Sequence, residues 1–312
     1  MSYRDFGPQL YLHEGKPAAT EPVAKVLSGA TMAMGGNVTT SRTLPDPEFM
    51  MVGPWCLVEH FWSREANAPL RWSSGAQPAS GSQQLSWLHC GELMYGDSRG
   101  NKQALRPGRL GVVTTGSGIM HGVSTLDGSQ DPMSGVSLRL ALPSGFANTS
   151  PAWEYHSVLP VTTGQKFRAT VFAGELDGMK SPATTYSPLF GTDIVLSARA
   201  NLRLPMQADF EYAALVTTAT ATIERVPVPS GSLMYLGMGR NELAISADEA
   251  SRILLLGGRP LDERLVMWRG FVARDRDEIE RLQLEWATQH FDDLAQDDAL
   301  LTGVKTHHTL WA

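Results

Sequence analysis

Between Gln83 and Glu92 apolar and polar side chains alternate, with Leu85, Trp87 and His89 on one side of an extended chain and Ser86, Leu88 and Cys90 on the other. A period of two is a strand signature, because successive side chains point to opposite faces of the pleat. Gly91 ends the run. Gly96, Asp97, Ser98, Gly100 and Asn101 then cluster in a turn of residues that tolerate positive φ. Arg106, Pro107 and Gly108 make a second turn, Leu110 to Thr114 a second β run, and Gly116, Ser117 and Gly118 a third turn that delivers Ile119, Met120 and His121. The stretch from Gln77 to Val123 therefore predicts a barrel wall that folds His121 back toward the strand beginning near Gln83.

The rest of the chain repeats the pattern. Met32 to Met34 and Trp55 to Val58 are apolar runs, separated by the breaks Gly35-Gly36-Asn37 and Pro45-Asp46-Pro47. Residues 62 to 82, rich in Ser, Ala, Gly and Pro, predict a loop that carries Trp62 and Trp72 across the barrel mouth. Val136 to Leu142 alternates until Pro143, and residues 143 to 160 predict an interdomain connection. Beyond it, evenly spaced short β runs from Phe167 to Gly257 predict a second antiparallel barrel. No His lies between His156 and His290, so that barrel has no imidazole for a metal. One helix is predicted near the end: Asp275 caps it, Glu278 completes a capping box, and Ile279, Leu282 and Trp286 share a face that should dock on a barrel. The expected class is all-β, with an arm over 1–22, one barrel over 23–145, a second over 146–274, and a helix and tail over 275–312. In that tail the pair His307 and His308 reads as part of a terminus without fixed structure rather than a metal site.

Composition narrows the function. The 312 residues, 42% of them hydrophobic, suffice for one large or two small cores. A net charge of −6 with scattered basic residues leaves no electrostatic footprint for nucleic acid. The N-terminus shows no secretory signal, and no run approaches the roughly 20 apolar residues of a membrane helix. A soluble, cytoplasmic protein is expected. Cys56 and Cys90 are the two cysteines and read as free core thiols of a reducing compartment.

Two short β blocks around a Pro-Gly turn, with a His after the last turn, resemble a cupin, and the block resembles the pirin family in particular. The shared framework is Gly91-Glu92, Asp97-Ser98-Arg99-Gly100-Asn101, Pro107-Gly108 and Gly116-Ser117-Gly118-Ile119-Met120-His121. Upstream, Ser41-Arg42-Thr43-Leu44-Pro45 and Gly53-Pro54-Trp55-Cys56-Leu57 resemble further pirin segments. Downstream, Gly257-Gly258-Arg259-Pro260-Leu261, Gly270-Phe271-Val272 and Asp277-Glu278-Ile279 do the same. The resemblance covers roughly residues 22 to 287 and implies two jelly-roll cupin barrels in one chain, a bicupin. It also implies four metal-ligand positions, which fall on Gln77, Ala79, His121 and Val123. His121 is the one retained ligand type, and the other three side chains are not those of the family pattern. An iron site needs several lone-pair donors converging on one point. His60, at a position where many pirins carry a His, and His89 read as structural.

Gln77, Gln83 and His121 are expected to converge where the family's metal would sit, with Trp87 and Trp62 or Trp72 as apolar walls. A few polar groups in an apolar lining suit a small-molecule pocket. A neutral His can move a proton and a Gln amide can donate to a developing oxyanion, which suits cofactor-free acid–base chemistry such as isomerisation or cyclisation. Against this stands a plainer possibility, that all three are hydrogen-bonded interior residues, and a one-residue slip in register would exchange the faces. Two alternatives follow from the resemblance. One is an Fe-dependent quercetin 2,3-dioxygenase in which Gln77, Gln83 and His121 replace the usual ligands. The other is a non-catalytic, protein-binding regulator, which a filled first barrel and an apolar surface patch would favour. The expected partner is a small molecule, with no cofactor, nucleic acid or membrane, and a protein partner only under the last alternative.

Overall fold

A computed structural model describes residues 10–35, 37–63, 72–126 and 131–288. It is built of antiparallel sheets, with one α-helix, Arg276–Thr288, among the described residues. The N-terminal barrel apposes two sheets. One has seven strands in the order Ala152–His156, Leu110–Thr114, Ser82–Cys90, Ser134–Ala141, Trp55–Ser63, Val38–Leu44, Ala30–Gly35. The other has four, Gln77–Ala79, Ile119–Thr125, Leu93–Asp97 and Lys102–Leu105. The C-terminal barrel repeats the plan with an eight-stranded and a four-stranded sheet.

The principal core lies between the barrels. Leu85, Trp87, Val112 and Leu138 from the larger sheet of the first pack with Phe172, Leu215, Leu233 and Leu254 from the larger sheet of the second. Each large sheet is thus buried on both faces. That explains runs such as Ile253-Leu254-Leu255-Leu256, in which apolar residues do not alternate.

The chain exchanges elements between its halves. Pro22–Ser28 pairs with Ser232–Gly237 of the second barrel, Leu27 opposite Leu233, before Ala30–Gly35 crosses to join Val38–Leu44 of the first. In return, Arg264–Trp268 and Phe271–Ala273 form a small sheet with Tyr11–Glu14 on the end of the first barrel. Leu261, Leu265, Met267 and Val272 pack there on Met51, Cys56 and Ala141. Gly81, at φ +69°, lets this sheet approach: an added Cβ would lie 2.0 Å from the Val272 carbonyl oxygen.

The helix is capped from both directions. Glu278 N donates to Asp275 Oδ1 (2.8 Å) and Arg274 N to Glu278 Oε2 (2.8 Å). Ile279 and Leu282 pack on Val266 and Phe271. The loop expected over 62–82 is interrupted by structure: Trp62 and Ser63 still belong to Trp55–Ser63, and Gln77–Ala79 is a paired strand. Cys56 is buried, and burial pushes its thiol up to about 12, whereas Cys90, expected in a core, is exposed beside the Gly91 break. The His307–His308 pair lies outside the described residues. Among the described residues no helix is long and apolar enough to cross a membrane.

Candidate ligand cavity in the N-terminal barrel

A cavity of about 110 Å³ opens inside the first barrel between its two sheets. In Ser82–Cys90 the side chains of Gln84 and Ser86 face it, while Gln83, Leu85 and Trp87 face the second barrel. In Ser134–Ala141 it is Ser137 and Arg139, and in Trp55–Ser63 it is Glu59 and Phe61. The large sheet thus turns a mixed face inward, its polar side chains beside Val38, Phe61 and Val113, and an apolar face toward the neighbouring barrel.

The smaller sheet supplies the facing wall. Gln77 and His121 are directly opposite in the ladder between Gln77–Ala79 and Ile119–Thr125. Gln77 Nε2 donates to the Ser74 carbonyl (3.0 Å), which anchors the amide. Burial and the nearby Arg139 charge lower the His121 pKa to about 4, against an opposing pull from Asp97, so the imidazole is neutral near pH 7. Tyr95 stacks on Trp153 with ring centres 3.7 Å apart and donates its hydroxyl to Asp97 Oδ2 (2.9 Å). Burial and the Asp97 charge raise the Tyr95 pKa, so the phenol stays protonated.

Trp72 closes the apolar side. Its N–H donates to Thr125 Oγ1 (3.0 Å), and the Thr125 N–H donates to its carbonyl (2.8 Å). Just beyond, Ser74 N donates to the Val123 carbonyl (2.9 Å), so residues 72–75 are strapped along the end of Ile119–Thr125. Gly122 permits this crossing, since a Cβ there would meet the Gly75 carbonyl oxygen at 2.5 Å. On the opposite wall Glu59 forms a buried pair with Arg42 (2.6 Å).

Of the residues singled out from the sequence, Gln77, His121 and Trp72 line this cavity and the other three do not. Gln83, 1% exposed, donates Nε2 to Thr114 Oγ1 (3.0 Å) and to the Thr184 carbonyl (3.1 Å), bridging the barrels. Trp87 stacks on Phe172 at 5.6 Å and donates Nε1 to Asp193 Oδ2 (3.1 Å), also between the barrels. Trp62 leans on His60 at 5.0 Å, one residue out of phase with cavity-facing Phe61. The face assigned to Gln83 and Trp87 is the interface face. Sequence reasoning missed Gln84, Ser86, Arg139, Tyr95 and Trp153. Trp153 lies in a segment expected to be a connection, yet Ala152–His156 pairs with Leu110–Thr114 and sets Trp153 opposite Val113.

Of the four positions that the resemblance assigns to pirin ligands, Gln77 is opposite His121 in the ladder, Ala79 is opposite Ile119 and Val123 lies two residues beyond His121; Gln77, His121 and Val123 line the cavity. Among the described residues no group of three or more His, Cys, Asp and Glu side chains is placed to hold a metal ion.

The pirin model matches residues 37–138, and the model of the pirin C-terminal cupin domain matches residues 191–292. A Pseudomonas aeruginosa protein named as a candidate quercetin 2,3-dioxygenase is 32% identical over 86% of this chain and 85% of its own length. A pirin-like protein of Caulobacter vibrioides is 28% identical over 80% of this chain and 88% of its own. Among solved structures, a quercetin 2,3-dioxygenase from Acinetobacter baumannii superposes with a TM-score of 0.79 at 28% identity, covering 84% of this chain and 88% of that one. An Escherichia coli pirin in complex with nickel(II) shares the fold at a TM-score of 0.61 and 16% identity, over 77% of this chain and 100% of its own. Two cupin barrels matched in order by the two pirin models, with relatives that span most of its length, make this chain a member of the pirin family.

Proposed function

We propose that this pirin-family bicupin binds a small, largely hydrophobic molecule in the N-terminal barrel cavity without a resident metal. The observation that carries this reading is the donor set at the four ligand positions: one imidazole, one amide, an alanine and a valine. Ala79 is packed in the core and the Val123 side chain offers no lone pair, while the cationic Arg139 lines the same cavity. Iron(II) sites are built from imidazole and carboxylate donors, so these residues do not fit the group the fold family implies. Aromatic walls from Trp72, Tyr95 and Trp153, with a few inward polar groups, support ligand binding.

His121 acts here first as a neutral hydrogen-bonding group. With a pKa near 4 it is a weak base, so any isomerisation or cyclisation it assists needs a substrate that presents an acidic proton. A second reading, oxygenation of a flavonol, is favoured by the named activity of the relatives that cover most of the chain. The protein-binding alternative has less support: the barrel encloses a cavity, and the exposed apolar side chains Phe146, Val158, Val161, Val195 and Leu284 lie in separate elements and loops.

The test fills the cavity. Aromatic fragments are screened by ligand-observed NMR against the wild type and against Val123→Trp, with circular dichroism to confirm the fold. Fragments that bind the wild type and are lost in the variant support the reading. Equal binding to both proteins overturns it.

A further inference from the structure

Among the described residues Arg139 is a buried charge without a counterion. It lies in Ser134–Ala141 with 5% of its surface exposed. Nη1 donates to the Arg269 carbonyl (2.5 Å), and Nε is buried with no partner. No described carboxylate pairs with it, because the acidic groups nearby are already engaged. Glu59 is held by Arg42 (2.6 Å), and Asp97 accepts from the Tyr95 hydroxyl (2.9 Å), Arg99 N (2.9 Å) and the Asn101 amide (2.9 Å). Burying an uncompensated guanidinium is costly, and an anion relieves the cost.

The surroundings suit such an anion. Gln84 is directly opposite Arg139 in the ladder between Ser82–Cys90 and Ser134–Ala141, and both side chains line the cavity. Residues opposite across an antiparallel pair have Cβ atoms about 5 Å apart, so an amide and a planar guanidinium can reach one carboxylate together. On the other sheet, His121 and Gln77 form a second opposed pair. The stacked rings of Tyr95 and Trp153, and Trp72, line the same cavity.

Resting on the metal-free reading above, we infer that the cavity selects a small aromatic carboxylate, its carboxylate seated at Arg139 and Gln84 and its ring against Trp153 and Tyr95. A cavity of about 110 Å³ limits the aromatic body to about one ring. Neutral isosteres leave the guanidinium unpaired and bind more weakly.

The experiment compares benzoate with benzamide, which share size and shape but not charge, by NMR titration of the full-length protein. Benzoate should bind at least about tenfold tighter, since pairing a buried charge is worth well over one factor of ten. Arg139→Gln should abolish that preference, bringing the two affinities to within about twofold of each other, and Arg139→Lys should keep part of it. The wild-type comparison stands even where a variant folds poorly. Saturable binding of both ligands with equal affinity, lost in Val123→Trp, overturns the anion inference and leaves the cavity reading intact. Absence of saturable binding by either ligand overturns both.

Discussion

Trp87 separates an inter-barrel core residue from a pocket wall. It is 1% exposed, stacks on Phe172 of the other barrel and donates Nε1 to Asp193 Oδ2. In Trp87→Phe the hydrogen bond to a charged acceptor is lost, worth about 1.5 kcal/mol at the low end of its range, because Asp193 keeps Arg252 (2.8 Å at Nε). The smaller ring leaves roughly 40 Å³ unfilled, which at about 24 cal/mol per Å³ adds about 1 kcal/mol. The expected loss is therefore about 2.5 kcal/mol, rising to about 4 kcal/mol for Trp87→Ala. Urea titrations followed by far-UV circular dichroism measure it without depending on tryptophan emission. Benzoate affinity of the folded variant should be unchanged. Trp72→Ala should do the opposite, costing under about 1 kcal/mol of stability while weakening benzoate about tenfold. A Trp87→Phe protein that loses less than about 0.5 kcal/mol but binds benzoate tenfold more weakly would refute the assignment of faces.

Two further outcomes follow from buried polar groups. Burial, with the Arg252 charge adding to it, lowers His60 to about 4 and His89 to about 2, from 6.5. Below pH 6.5 the unfolded chain therefore takes up protons that the folded chain refuses, and stability falls as pH drops from about 6.5 toward about 4 by up to about 1.4 kcal/mol per pH unit for each His. Urea midpoints at pH 7.5, 6 and 5 test this, and His60→Asn with His89→Asn should lessen the dependence without removing it, because His121 and His13 are lowered by burial too; a flat wild-type profile would contradict it. Glu59→Gln removes the carboxylate from the buried pair with Arg42 and should cost about 3 kcal/mol in the same assay. A cost below about 0.5 kcal/mol would show the pair to be solvated.

Much of the architecture is legible in the alternation and the turn glycines, because a strand's period and a turn's φ are local properties. The facing of Ser82–Cys90 was harder to see. Both faces are buried, and glutamines stand at 83 and 84, so burial alone does not say which parity enters the barrel. The answer depends on the second barrel, which draws Leu85 and Trp87 toward itself and leaves Gln84 and Ser86 to the cavity. Pro22–Ser28 gave no signal for its crossing, since a largely exposed edge strand carries no apolar run. Arg139 sat in plain alternation within Ser137-Leu138-Arg139-Leu140, but its importance appears only when its neighbours prove to hold no free carboxylate. His121 and Gln77 were legible because two short blocks joined by tight turns bring them together, and the ladder sets them opposite one another.

The proposal that the cavity works without a resident metal is tested most directly by the metal content of tag-free protein, expressed with iron, manganese, nickel and copper supplied and measured by elemental analysis beside His121→Ala. A metal-free cavity predicts sub-stoichiometric metal in the wild type and the same level in the variant. Near-stoichiometric metal in the wild type that is lost in His121→Ala would mean that Gln77 and its neighbours rebuild a metal site, and would return the chain to oxygenase chemistry.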